Sequence, residues 1–307
     1  MYEYYDSVTN DEAQRRETKL VNKALTKLPE PYLSGLKLRA DIKIGSLVLN
    51  TIDSDGVVWI CTDIEGWWNL PDPEFPELTR GWGDGSYDAV GRYASRILTL
   101  NGVFLTQDPS QVEVARAKLV EAVNLVYRGD WLVVNETTPK ASFVRLSGRP
   151  DITNANARGR TEFSVQLKAP DPIKYEWVEG AGDNYRTTTI NSGSSATIVN
   201  AGNIRVPVVF ELKGAITASV SSPVRIRNTT HTTEIEIIKS LTAPQTLEID
   251  TYNREALLLE GTSTLSGRDR LEPLIDWVYL EPGNNVISFS GATGKSVKVY
   301  HRSGWIG

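Results

Sequence analysis

The spacing of apolar residues changes character along the chain and predicts where each kind of element lies. Between Asn10 and Leu28, the residues Ala13, Leu20, Val21, Ala24, Leu25 and Leu28 recur three or four positions apart, which is the period of a helix with one apolar face. Arg15, Lys19, Lys23 and Lys27 fall elsewhere on that cylinder. Asn10 suits the N-cap, Asp11 and Glu12 suit the positive helix end, and Pro29 and Pro31 stop it. The early acids argue against a membrane-surface role and favour docking on the protein's own domain or on a neighbouring subunit. From Leu36 to Cys61 the period falls to two. Leu47-Val-Leu49 and Val57-Val-Trp-Ile60 flank Asp53-Ser-Asp-Gly56, the pattern of a hairpin with an Asp-Gly turn. Asp53-x-Asp55-Gly56 also opens like a calcium loop, but no acid follows at the position of the bidentate ligand and strands flank it.

Residues 65–88 break the pattern. They hold three of the eight tryptophans (Trp67, Trp68 and Trp82) together with Pro71, Pro73, Pro76, Gly81, Gly83 and Gly85, and so read as a long loop. Its aromatics could stack on sugars, fill a subunit interface or pin the loop to its own domain. Gly81-Trp-Gly-Asp-Gly85 lacks the Gly-Lys-Ser/Thr of a phosphate loop and no helix pattern opens after it. Arg92 to Leu105 alternates again, with a turn expected at Asn101-Gly102. Asp108-Pro109 then starts a helix, Asp as N-cap and Pro at the first helical position. Its apolar face is Val112, Ala115, Leu119, Ala122, Val123 and Val126, and Gly129 is placed to cap its end. Strands follow at Trp131–Val134, Ala141–Leu146 and Thr161–Leu167, ended by Ala169-Pro-Asp-Pro172.

The segment from Tyr185 to Ser195, rich in Thr, Ser, Asn and Gly, reads as a linker or a long hairpin. Beyond it, short apolar runs return about every ten residues, from Ala196–Val199 through Trp277–Leu280 to Val297–Tyr300, with no helix pattern between them. The predicted fold class is mainly β: an α+β N-terminal domain with one or two helices, then an antiparallel β-sandwich. The expected boundaries are a helical extension over 1–35, a first domain over 36–172 and a sandwich over 173–307, with 173–195 as linker or hairpin.

Composition narrows the chemistry. The 307 residues carry a net charge of −5, and from Ile173 onward there are 13 basic against 14 acidic side chains. Neither half has the basic surplus that a phosphate backbone demands, so nucleic acid is not an expected partner. No stretch reaches the ~18 apolar residues of a membrane helix, and the polar, acidic first residues do not resemble an export signal. One cysteine, Cys61, excludes an intramolecular disulfide and a four-cysteine zinc site. With only His231, in a predicted turn, and His301, after a predicted strand, neither a nucleophile–His pair nor a metal spacing can be assembled. Asp63 and Glu65 beside Trp67-Trp68 are the only carboxylate pair that invites a glycosidase reading, and among 38 acidic residues such a pair arises by chance. The expectation is a non-enzymatic binding or assembly protein with no cofactor and no metal.

Several strings point further. In the first half they are Thr51-Ile-Asp-Ser-Asp-Gly, Glu65-Gly-Trp-Trp, Asp84-Gly-Ser-Tyr, Gly91-Arg-Tyr-Ala-Ser-Arg-Ile-Leu-Thr-Leu-Asn-Gly and Phe163-Ser-Val-Gln-Leu-Lys-Ala-Pro-Asp-Pro. In the second they are Thr197-Ile-Val-Asn-Ala-Gly-Asn, Pro207, Leu247-Glu-Ile-Asp and Trp277-Val-Tyr-Leu-Glu-Pro-Gly-Asn-Asn-Val-Ile. In this order they resemble the distal tail proteins (Dit) of long-tailed siphovirus bacteriophages, and within them the minor tail proteins of phages infecting actinobacteria. The resemblance implies a belt-forming N-terminal domain, a galectin-like β-sandwich, and a place in the virion at the tail tip. It also implies a homo-hexameric ring joining the tail tube protein to the tail-associated hub protein of the baseplate, with the tape measure protein as a further neighbour. Trp67, Trp68, Trp82, Tyr87 and Arg92 are the expected subunit-interface residues. Trp277, Pro282 and Gly283 are explained by strand and turn alone. A carbohydrate-binding or receptor-binding tail protein, touching the host envelope through the Trp-rich loop, is the alternative.

Overall fold

The computed structural model describes residues 41–76, 78–82, 84, 86–87, 90–106, 108, 110–153, 160–179 and 184–307. The amphipathic segment over 10–28 lies outside the described residues. The chain forms two compact units that meet in sequence at Lys174 and Tyr175.

The first unit is built on β1 (Asp41–Ile44), β2 (Leu47–Leu49), β3 (Val58–Glu65), four two-residue strands, and β8 (Arg96–Leu105). The two-residue strands are β4 (Pro73–Glu74), β5 (Leu78–Thr79), β6 (Ser86–Tyr87) and β7 (Arg92–Tyr93). Then come α1 (Gln111–Arg128), β9 (Asp130–Asn135), β10 (Lys140–Leu146), β11 (Asp151–Ile152) and β12 (Arg160–Ala169). The main sheet runs β2-β1-β9-β10-β12-β8-β3, antiparallel at each pairing. Its two outermost strands are consecutive in the chain. The Asp53–Gly56 turn joins them through the Ile52–Val58 bridge and the Trp59 N–H to Thr51 carbonyl bond of 2.9 Å, so the sheet curls toward a barrel. Alternate residues of these strands point inward, and Ile42, Ile44, Leu49, Trp59, Phe104, Leu132, Val134 and Val165 make one core with the helix.

The helix buries the six residues that its sequence pattern selects, Val112, Ala115, Leu119, Ala122, Val123 and Val126. Gly129 (φ 103°) ends it, its N–H donating to the Val126 carbonyl. The start differs from expectation: Ser110 is the N-cap, and Asp108 instead accepts the Ser110 N–H at 2.9 Å in an Asx turn ahead of it. Asn101-Gly102 is no turn either. Strand β8 runs straight through, because Gly102 lies under Phe163 and beside the Ile60 carbonyl, where a Cβ would come within 2.4 and 2.6 Å. The glycine marks a close approach between strands.

The Asp53 turn is built as predicted. Asp53 accepts the N–H groups of Asp55 and Val57 and the Trp59 indole N–H, while the Lys118 ammonium bridges Asp53 and Asp55 at 2.7 and 2.5 Å. Burial alone would raise the Asp53 pKa; the bonds from Lys118, Trp59 and the turn amides outweigh it and hold the carboxyl below its ordinary value.

After β13 (Lys174–Glu176), the second unit contains β14 (Arg186–Asn191), β15 (Ser194–Asn200), β16 (Val209–Lys213), β17 (Val224–Asn228), β18 (Thr233–Ile237), β19 (Gln245–Asp250) and β20 (Glu255–Glu260). It is completed by β21 (Ser263–Ser266), a 3-10 turn at Arg268–Arg270, β22 (Gly283–Ser290), β23 (Ser296–His301) and β24 (Gly304–Trp305). Two antiparallel sheets result, β14-β23-β16-β19-β20-β21 and β15-β22-β17-β18. Phe210, Leu212, Leu247, Ile249, Val297 and Val299 from the first, and Ile226, Ile235, Ile287 and Phe289 from the second, are all buried. The 185–195 segment is neither linker nor paired hairpin: β14 pairs with β23 and β15 with β22, so the Ser192-Gly193 turn carries the chain from one sheet to the other. Trp277–Leu280 is not a strand, and only Leu280 bridges, to Val206.

Candidate functional site

The 65–93 stretch forms a hairpin arm on a charged, buried root. Strand β4 pairs with β7 (Pro73 with Tyr93, Glu74 with Arg92) and β5 with β6 (Leu78 with Tyr87, Thr79 with Ser86), so the pairs nest along one antiparallel arm. Proline and glycine keep it too irregular for a longer ladder. Its side chains are apolar and in water: Trp82 is 97% exposed and Val90 95%, with Leu70, Phe75, Tyr87 and Trp68 also exposed. Arg80 lies over the Tyr87 ring at 5.6 Å, and the exposed Arg92–Glu74 pair at 3.2 Å ties β7 to β4. Several large apolar side chains left in water along one short segment are characteristic of a protein contact.

The root is the opposite in character. At Gly66 (φ 81°) the chain turns out of β3, and a Cβ there would meet the Ile97 carbonyl at 2.3 Å. Trp67 is fully buried, its indole N–H donating to Glu136 at 2.7 Å, and Glu136 also accepts from Lys140 at 2.6 Å. Two further buried cations grip the backbone. Arg96 donates to the carbonyls of Gly66 (2.7 Å), Asn69 (2.6 Å) and Pro172 (3.1 and 3.2 Å). Lys174 donates to the Trp67 carbonyl at 2.8 Å. Burial, then the nearby Arg96 charge, pushes Lys174 down to about 8, against a smaller opposing pull from Glu136. For Glu136, burial would raise the pKa, but bonds from Lys140 and Trp67 prevail and lower it. Carbonyl dipoles thus take the place of a counter-ion for Arg96 and Lys174.

The five expected interface residues therefore separate. Trp68, Trp82, Tyr87 and Arg92 are on the exposed arm, whereas the Trp67 ring is enclosed in its own unit and offers no surface to a neighbour. Sequence reasoning missed Arg96 and Lys174 as the residues that fix the arm's base. A charge inside an otherwise alternating strand (Arg96) was the available signal.

The groups weighed for catalysis are dispersed. Asp63 and Glu65 are exposed on β3, and Glu65 accepts from Asn101 at 3.2 Å. Cys61 is buried, and desolvation raises its thiol to about 12, which makes it inert at neutral pH. His231 is exposed in the β17–β18 turn. His301, at the end of β23, shares a 2.9 Å bond with Thr188, and burial lowers its pKa. Among the described residues no group of three or more His, Cys, Asp or Glu could hold a metal ion, and no helix is long and apolar enough to cross a membrane.

In the second unit the Trp277-to-Ile287 string finds a structural explanation. Asn285, fully buried, donates to the carbonyls of Glu281 (2.7 Å) and Gly283 (3.0 Å) and accepts from the Glu281 N–H and from Asn228, each at 3.0 Å. Asn200 does the same for the Ile204 and Leu280 carbonyls. Residues 201–305 match the family model described as siphovirus-type tail component, C-terminal domain. The second unit thus carries the signature of a siphovirus-type tail component domain. The fold is similar to that of the solved structure of Dit (gp 19.1) from phage SPP1, which is described as a paradigm of the hub adsorption apparatus in phages infecting Gram-positive bacteria. That match has a TM-score of 0.58 at 13% identity and covers 87% of this chain and 99% of the other. A chain of the activated phage P2 baseplate is also similar, with a TM-score of 0.45 at 10% identity, over 87% and 99% of the two chains. Among curated proteins none matches. The likeness to SPP1 Dit is one of fold, mainly antiparallel β with a single described helix, and the matched tail component segment lies within the sandwich, from after β15 to β24.

Proposed function

We propose that this Dit-like protein is a distal tail protein that closes into a six-membered ring at the phage tail tip and joins the tail tube to the hub of the baseplate. The observation that carries the reading is the hairpin arm, whose Trp82 is in water although its root at Trp67, Arg96 and Lys174 is buried. A ring of identical copies needs a heterologous contact, one surface reaching another on the next copy. An arm fixed at its root by Arg96 and Lys174 supplies such a surface without entropy lost from a floppy loop. Trp68, Trp82, Tyr87 and Arg92 are the contacting residues, and the tail tube, hub and tape measure proteins are the neighbours. The work is done by protein contacts, without catalysis, cofactor or nucleic acid.

The test is the mass of the purified protein in solution with negative-stain class averages, alone and with a recombinant tail tube protein. Rings of six copies with a central hole, lost in the Trp82→Ala variant, are the expected result. A strict monomer in both samples overturns the proposal, and quenching of the arm's tryptophan fluorescence by saccharide would favour a receptor-binding protein instead.

A further inference from the structure

The second unit spends most of its arginines on partners of its own. Arg186 pairs with Glu176, Arg225 with Glu236 and Arg227 with Glu234. Arg268 and Arg270 donate to the carbonyls of Glu272, Pro273 and Ser240, and Arg302 lies on the rings of Tyr175 and Tyr185. Arg205 and Arg254 differ. Both are exposed, and among the described residues neither has an ion pair. What they share is one phenol. The Arg205 guanidinium lies over the Tyr279 ring at 5.3 Å, and Arg254 Nε donates to the Tyr279 hydroxyl at 3.3 Å. That hydroxyl gives its own proton to the Thr251 carbonyl at 3.1 Å, so its oxygen is left to accept from Arg254.

The three residues come from separate segments that buried polar groups hold together. Arg205 and Tyr279 each precede one half of the Val206–Leu280 bridge, whose two N–H groups donate across it at 2.9 Å. Fully buried Asn200 binds the Ile204 and Leu280 carbonyls, and fully buried Asn228 binds the Tyr279 carbonyl at 3.1 Å. Fully buried Thr251 ties Val208 to the Tyr279 hydroxyl. Arg254 stands in the β19–β20 turn at φ 55°, in the left-handed region that a residue other than glycine takes under strain. An irregular segment fixed by buried side chains, with a strained arginine beside it, is the construction of a preorganised binding surface.

Charge decides what it binds. Two guanidiniums beside one phenol suit a carboxylate, to which each can offer paired N–H donors. The neighbouring strands are acidic, with Glu211 opposite Glu248 and Asp250 opposite Glu255. Burial, then Asp250, Glu211 and Glu255, raises the Glu248 pKa, so these carboxylates share one field. Such a field repels a run of phosphates or of acids, but it admits a single carboxylate on a segment that is otherwise neutral or basic. We propose that Arg205 and Arg254, ordered by Tyr279, form a docking site for one Asp or Glu side chain of a partner protein, carried on a neutral or basic segment. The site belongs to the second unit alone and uses no residue of the arm.

Fluorescence anisotropy of short labelled peptides tests it on the full-length protein. One peptide carries a single Glu among Gly, Ser and Lys, and its counterpart has Gln in that place. The Glu peptide is expected to bind about tenfold tighter, and Arg205→Ala/Arg254→Ala should abolish the preference. Because both side chains are exposed, the double variant should melt with the parent, which separates lost binding from lost fold. Tyr279→Phe keeps the ring beneath Arg205 but removes the acceptor that orders Arg254, so about threefold preference should remain. Equal binding of the two peptides by the parent, or a Glu preference that survives in the double variant, overturns the proposal. Tighter binding of polyphosphate than of the Glu peptide overturns it in favour of a polyanion site. Self-association of the parent that the double variant loses overturns it in favour of a second copy as the occupant. Ring formation through the arm is read by mass in Trp82→Ala, so failure here leaves the assembly proposal standing.

Discussion

The Lys174 ammonium donates to the Trp67 carbonyl at 2.8 Å and lies 4.9 Å from the centre of the same residue's indole. One side chain thus holds both the backbone and the ring at the base of the arm. It does so while fully buried, beside the Arg96 guanidinium, with Glu136 as the nearest opposing charge.

That arrangement has a pH signature. In the folded protein Lys174 loses its proton near 8, whereas an unfolded lysine holds it to about 10.4. Between those values the unfolded chain binds more protons, so this group's contribution to stability rises with pH through the window. At one decade per 1.36 kcal/mol the swing is roughly 2 kcal/mol after allowance for the precision of the shift. Lys174→Met removes the titrating group and keeps most of the stem. Urea unfolding of the first unit, followed by tryptophan fluorescence from about pH 7.5 to about 10, should show the parent gaining by that amount on the variant. A pH-independent difference between the two would show that Lys174 titrates normally.

Trp67 and Trp82 are fifteen residues apart in one segment and are predicted to behave oppositely. Trp67→Ala empties a buried, hydrogen-bonded site and leaves Glu136 without one donor, which costs about 3–5 kcal/mol. Trp82→Ala removes a ring that touches water, so stability should stay within about 0.5 kcal/mol while assembly is lost. Paired melting curves and solution masses separate the two effects. Loss of rings in Trp67→Ala alone would be a folding defect and would say nothing about the arm.

Much of this architecture was legible in the chain. The six core residues of α1 followed from a 3.6 period, and the Asp53 turn from two carboxylates before a glycine, because both are local rules. What was not legible is set by non-local contacts. Asn101-Gly102 has turn chemistry, yet Phe163, more than sixty residues away, requires a glycine there to let β12 lie against β8. Likewise a run of four aromatic or apolar residues at Trp277–Leu280 has strand composition, but the sheets are complete without it. Adjacent tryptophans at 67 and 68 give no hint which one the root encloses, and only the fold shows Trp67 buried while Trp82 is exposed.

The glycine argument is itself testable. In Gly102→Ala the new methyl would stand 2.4 Å from Phe163 Cζ and 2.6 Å from the Ile60 oxygen. The phenyl ring can swing aside, but the carbonyl belongs to a paired strand and cannot, so overpacking of about 2–3 kcal/mol is expected. Phe163→Leu on the same background should recover only the smaller part. Complete rescue by Phe163→Leu would place the conflict at the ring and not between the strands.

Asn285 offers the corresponding experiment in the second unit. Its carboxamide makes four bonds that tie the irregular turn at Glu281 to the ends of β22 and β17: it donates to the Glu281 and Gly283 carbonyls and accepts from the Glu281 N–H and the Asn228 side chain. Asn285→Leu keeps the volume but orphans the Glu281 and Gly283 carbonyls, the Glu281 N–H and one Asn228 donor position, and several buried groups left unpaired at about 1 kcal/mol or more each sum to about 3–5 kcal/mol. Asn285→Asp should do nearly as badly near neutral pH, because a carboxylate cannot donate to the two carbonyls and would be buried without a cation. It should recover in part as the pH falls and the acid becomes protonated, restoring one donor. Thermal unfolding of the tail component domain between about pH 4 and about pH 8 distinguishes this from a simple packing role, in which the Leu variant would be the milder of the two at every pH.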